Sequence, residues 1–104
     1  MASQLASGDL ISDRYASALY DLATENKVVD FVLENLNSLK NIINENKELQ
    51  LVIKSPLIIS SDKLQIILKL MSKQSFNKLS ITFLKVISKN KRFSSLPSII
   101  LQFI

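Results

Sequence analysis

Turn-forming residues are so scarce in this chain that few folds stay open to it. Glycine occurs once, at Gly8, and proline twice, at Pro56 and Pro97, in 104 residues. An antiparallel β-fold needs a tight turn roughly every ten residues, and such turns draw heavily on both residue types. Leu, Ile, Lys, Ser and Asn dominate instead. The apolar residues return at intervals of three and four, the period that lines up one face of an α-helix. With 47% apolar residues the chain has material for a core, and its length suits one domain. The expectation is an all-α fold, a compact bundle of about six helices spanning residues 1–104 as a single domain.

The helix limits follow from local chemistry. Met1–Ser12 reads as a lead-in, frayed to about Leu10, and the first helix as about Ile11 to Asn26, capped by Ser12 or Asp13 and stopped at Asn26-Lys27. A second helix is expected over about Val28 to Asn44, because Val29, Val32, Leu33, Leu36, Leu39 and Ile43 share one face. A third, about Lys47 to Ile53, ends before Ser55-Pro56, since proline has no N–H to continue a helix and drives its predecessor to extended geometry. Leu57-Ile58-Ile59 has β character but no partner run, and reads as a buried connector. Ser60-Ser61-Asp62 supplies cap chemistry for a fourth helix, about Asp62 to Lys73. A fifth begins at Ser75 or Asn77, runs to about Lys89 and leaves through Asn90-Lys91-Arg92. A sixth follows Ser94-Ser95 with Pro97 in its first turn, where proline is tolerated. It is still apolar at Phe103 and Ile104, which predicts continuation into a longer protein.

Two of these helices carry more apolar surface than a small bundle asks for. A stripe a little over ~100° wide suffices to face a core. At ~100° per residue, Ile11, Tyr15, Ala16, Ala18, Leu19, Tyr20, Leu22 and Ala23 sweep roughly 200° of the first helix. Leu79, Ile81, Phe83, Leu84, Val86 and Ile87 sweep roughly 220° of the fifth on the same construction. Either both helices are central and covered on two sides, or each turns part of its arc to a groove that accepts a partner helix. Ala16, Ala18 and Ala23 are small enough for close helix approach.

Several chemistries are poorly supplied. The chain has no cysteine and no histidine, so disulfides, thiolate metal sites and the commonest general base are absent. No phosphate-binding glycine loop or nucleophile–base arrangement is present, and Ser60-Ser61-Asp62 is accounted for as a cap. Catalytic, cofactor and metal residues are therefore expected to be none. Residues 1–52 hold eight acids and four bases, whereas residues 53–104 hold nine bases and one acid, Asp62. This asymmetry could steer an acidic partner to the second half, or be balanced within the bundle. A basic helical nucleic-acid-binding domain is the alternative reading, through phosphate contacts, but the lysines are dispersed and no helix-turn-helix or aromatic stacking pattern accompanies them. No apolar run reaches the ~20 residues of a membrane span, and neither a secretory leader nor an Arg-rich transit peptide opens the chain. A soluble, cytoplasmic protein is the expectation.

The string Arg14-Tyr15-Ala16-Ser17-Ala18-Leu19-Tyr20-Asp21-Leu22-Ala23 resembles the opening signature of the F-type ATP synthase delta/oligomycin-sensitivity-conferring family, approximately R-Y-A-x-A-L-[FY]-x-x-A. Lys54-Ser55-Pro56-Leu57-Ile58 is similar to the family's S-P segment, and Asp62-Lys63 to the helix start that follows. Thr82-Phe83-Leu84-Lys85-Val86-Ile87 resembles its N-F-L-x-x-L helix. The segment from Asn90 to Ile100 resembles its N-x-R-[LF]-x-x-L-x-x-[IV] stretch. The ordered set covers nearly the whole chain. Thr82 departs from a common Asn and Lys91 from a common Gly.

The resemblance implies a six-helix N-terminal domain of a non-catalytic stator subunit. Its first and fifth helices would grip the N-terminal helix of an alpha subunit, and an absent C-terminal domain would join the b-subunit stalk. It also implies a position on the cytoplasmic face of a bacterial inner membrane, or else the matrix face of the mitochondrial one, without membrane insertion, cofactor or nucleic acid, and a monomeric isolated domain. The residues expected to meet the alpha helix are Ile11, Tyr15, Ala18, Leu19 and Leu22 on the first helix, and Leu79, Phe83, Val86 and Lys89 on the fifth. Leu19 has the strongest competing reading as core.

Overall fold

The computed structural model describes residues 7–104, with side chains from Leu10 onward. Residues 1–6 of the expected lead-in lie outside the described residues. Six α-helices follow one another: α1 (Ser7–Glu25), α2 (Val29–Asn44), α3 (Lys47–Lys54), α4 (Ser60–Met71), α5 (Lys78–Lys89) and α6 (Leu96–Phe103), with one 3-10 turn, Phe93–Ser95, ahead of α6. The all-α bundle is therefore as expected, and Leu57-Ile58-Ile59 is a connector, although Leu57 and Ile59 are exposed rather than buried. Among the described residues no helix is long and apolar enough to cross a membrane.

The helix starts differ from expectation in instructive ways. α1 begins at Ser7, upstream of the expected Ile11. Ser12 is not a cap: it lies inside α1 and is fully buried. α4 begins at Ser60 with Ile59 in the capping position and no side-chain cap bond, so the Ser60-Ser61-Asp62 cap does not form as read. Asp62 stands instead in the first turn, where a carboxylate favours the positive end of the helix dipole. Asn77 does cap α5, accepting from the Leu79 N–H at 2.8 Å. Pro97 sits in the first turn of α6, as its missing N–H permits, while Ser95 makes no cap bond.

α1 and α5 end alike. In each, a lysine takes the left-handed conformation, Lys27 at φ 58° and Lys91 at φ 57°. The Lys27 N–H bonds the Thr24 carbonyl at 3.1 Å and the Val28 N–H bonds that of Ala23 at 2.9 Å. Lys91 and Arg92 repeat the pattern onto Ser88 and Ile87, at 3.1 and 3.0 Å. Both are Schellman endings, which satisfy the last carbonyls of a helix and usually place glycine at the left-handed residue. The departure at Lys91 thus falls where a Cβ is least welcome.

All six helices feed one core. α6 is its centre, with Leu96, Ile99 and Ile100 buried between α1 and α2. Ala16 and Ala23 on α1 are buried and small, which lets α1 lie close along α6. α5 rests on α4 and α2. The broad apolar arcs of α1 and α5 therefore do not belong to central helices.

A buried asparagine that the sequence reading overlooked fixes α5 on α2. Asn35 Oδ1 accepts from the Asn77 N–H and from the Ser80 hydroxyl, each at 2.8 Å, and its Nδ2 donates to the Ser75 carbonyl at 3.4 Å. Asn35 and Ser80 are only 3% and 2% exposed. A second buried polar contact joins α4 to the end of α3, where Lys63 Nζ donates to the Ile53 carbonyl at 2.7 Å. Burial holds the Lys63 ammonium below the usual lysine range.

A groove between the first and fifth helices

Each broad arc divides into two rows. On α1, Ser12, Ala16, Leu19 and Ala23 point into the core and are buried. A second row, Ile11, Tyr15, Ala18 and Leu22, stands about 100° round the helix at ~100° per residue. Ala18 and Leu22 are exposed, and Ile11 and Tyr15 are half-buried. α5 divides the same way. Ser80, Phe83, Leu84 and Ile87 are buried, whereas Val86 is exposed and Leu79 half-buried. Leu22 and Val86 leave 46% and 41% of their surface to solvent, a cost for large aliphatic side chains that a partner would relieve.

The helices run antiparallel here. At one end Asn90, which caps the C-terminus of α5, donates through Nδ2 to the Tyr15 hydroxyl on α1 at 2.8 Å. An open depression of about 380 Å³ at that end is lined by Ile11, Arg14, Tyr15, Ala18 and Arg92. At the other end, Asn26 and Val28 from the close of α1 meet Asn77, Lys78, Leu79 and Thr82 from the start of α5 around a second depression, of about 350 Å³. Along their helices the exposed Leu22 of α1 and Val86 of α5 fall between the residues of the two ends. The result is a shallow apolar trough with polar ends.

Of the nine residues singled out in the sequence, Ile11, Tyr15, Ala18, Leu22, Leu79 and Val86 lie on the trough's two rows. Leu19 and Phe83 are 2% and 7% exposed and belong to the core beneath, so they support the floor and present almost nothing to a partner. Lys89 is exposed on the last turn of α5. The bridge from Asn90 to Tyr15 was not foreseen. Its only signal was a polar tip on an otherwise apolar row.

Residues 11–104 match the model of the ATP synthase delta (OSCP) subunit family. Proteins described as ATP synthase subunit delta are similar along nearly the whole chain. That of Rhizobium leguminosarum bv. trifolii is 36% identical over 101 residues, covering 97% of this chain and 53% of the relative. That of Rhodospirillum rubrum is 34% identical over 104 residues, all of this chain and 56% of the relative. The chain thus spans about half the length of the curated relatives it matches. With a family match over 94 residues' worth of chain, from position 11 to the last residue, and six helices whose broad-faced first and fifth frame an open trough, the chain belongs to the ATP synthase delta (OSCP) subunit family.

Proposed function

We infer that this chain is a non-catalytic part of the peripheral stalk of a proton-translocating F-type ATP synthase, and that its trough holds the N-terminal helix of an alpha subunit. The observation that carries this reading is the second apolar row on each of α1 and α5. Leu22 and Val86 stay exposed although the fold has a complete core without them. An amphipathic helix with anchors at i, i+3, i+4 and i+7 suits such a trough.

The mechanism is mechanical. Rotary coupling requires the catalytic head not to turn with the rotor, and a stator resists torque through protein contacts alone. Three or four aliphatic anchors, each contributing about 1.5–3 kcal/mol on full burial, give a large gross gain. Loss of free motion and ordering of the incoming helix offset much of it. A trough built on a packed core lowers that ordering cost on its own side. In this reading a C-terminal domain outside this chain joins the b-subunit stalk, and the assembly lies on the cytoplasmic face of a bacterial inner membrane.

Leu22→Asp tests the reading, because it sets an unpaired carboxylate at mid-trough while the core row stays intact. Titrated with a peptide of the first ~20 residues of the alpha subunit from the same organism, the variant should keep the wild-type circular dichroism and lose binding at least about a hundredfold, the effect of ~3 kcal/mol. Wild-type affinity in the folded variant would remove the trough from the function. A pull-down of catalytic head with and without the alpha N-terminal segment should give the same answer in the assembled enzyme.

A further inference from the structure

The two ends of the trough differ in charge. Arg14 from α1 and Arg92 from the turn after α5 line one end, together with Ile11, Tyr15 and Ala18, and among the described residues no carboxylate lines it. At the other end the one cation among the described lining residues is Lys78, beside Asn26, Asn77 and Thr82. Both arginines are exposed, and neither guanidinium has a hydrogen bond or ion pair to another described residue. The carboxylate nearest in sequence, Asp13, stands about 100° round α1 from Arg14, on the side away from the apolar row. Arg92 is placed by the Schellman ending of α5, where its N–H bonds the Ile87 carbonyl at 3.0 Å. The bridge from Asn90 to Tyr15 ties that ending to α1. Two guanidinium groups thus reach one depression from separate elements held together by backbone and side-chain bonds.

We propose that the occupant of the trough bears carboxylates at the end that lies over Arg14 and Arg92, and that this pairing sets the direction in which the helix lies. The proposal rests on the helix-in-trough reading above and adds the charge and polarity of the occupant. A guanidinium presents a planar fork of donors that matches a carboxylate. Two of them beside an apolar row read an acidic residue next to an aliphatic anchor. An aliphatic row alone accepts a helix in either direction, because apolar burial is not directional. The arginine pair makes the two directions unequal.

The test uses this chain and the same alpha peptide, with R14E/R92E, R14Q/R92Q and L22D as variants and binding measured at about 50 and 500 mM salt. R14E/R92E should weaken binding about tenfold at the lower salt, R14Q/R92Q less, and both losses should shrink at the higher salt. A peptide with its Asp and Glu changed to Asn and Gln should lose a similar factor on wild type and nothing further on R14Q/R92Q. A spin label at the carboxylate-bearing end of the peptide should broaden the amide signals of Ile11 and Ala18, not those of Asn26 and Leu79. If R14E/R92E binds within twofold of wild type while L22D does not bind, or if the label broadens the opposite end, the charge proposal is overturned and the trough stands. If L22D binds as wild type does, the trough reading itself has failed.

Discussion

α1 and α5 present matching rows to the trough, yet the two walls are held by different means. α1 lies along α6 through small and aliphatic residues, Ala16, Leu19 and Ala23, all 3% exposed or less. α5 also packs apolar residues, Leu84 and Ile87, but its first turn is bolted to α2 by Asn35, which engages Ser75, Asn77 and Ser80. Apolar packing gains free energy wherever surface is covered, whereas hydrogen bonds demand particular distances and angles. The register of α5 is therefore fixed at one point, while that of α1 depends on shape fit along a length of helix.

The contrast breaks most readily at Leu19. Leu19→Ala should cost about 3 kcal/mol in stability by urea unfolding, since it opens a cavity where α1 meets the core. Asn35→Ala should cost about 2 kcal/mol, because it strands the Asn77 N–H and the Ser80 hydroxyl without a partner. Hydrogen exchange should quicken first in the initial turn of α5 for Asn35→Ala and along α1 for Leu19→Ala. A cost under about 0.5 kcal/mol for Asn35→Ala would mean that α5 too is held by packing, and the contrast would go.

A gain is expected where the two walls agree. Lys27→Gly and Lys91→Gly each relieve a Cβ at positive φ and should each stabilise by roughly 0.5–1 kcal/mol, raising Tm by a few degrees. Unequal gains would show that one ending has a further constraint. The smallest effect concerns α4, on which α5 rests. The folded-state pKa of Lys63 lies below its unfolded value through burial, so in that window the unfolded chain binds more protons and stability rises with pH until the unfolded pKa is passed. The unfolding free energy of wild type relative to Lys63→Met should therefore drift upward as the pH is raised toward the ordinary lysine value of about 10.4. A flat difference would show that Lys63 is as well solvated in the fold as out of it.

Much of this was legible beforehand, for identifiable reasons. The helix count followed from apolar spacing, and the stops at Asn26-Lys27 and Asn90-Lys91 from local backbone chemistry. Spacing left the start of α5 open between Ser75 and Asn77, and Asn77 is the one that caps it. The excess arc on α1 and α5 was readable too, but not its division, since Leu19 and Leu22 look alike until α6 is known to lie against one of them. Phe83 and Val86 look alike for the same cause, although only Phe83 is buried. Asn35 was silent because its partners are 40 or more residues away and two of the three are backbone groups. Ser12 looked like a cap and proved to be an interior residue, because the helix already extended upstream of it. Only the fold brings Arg14 and Arg92 to one place.

The close fit of α1 along α6 has a mechanical corollary. Tyr20 on α1 stacks edge-on against Phe103, the last residue of α6, with ring centroids 5.8 Å apart. A load entering at the far end of α6 reaches α1 directly, and reaches α5 only after crossing the core. Displacing that end would thus move one wall of the trough before the other.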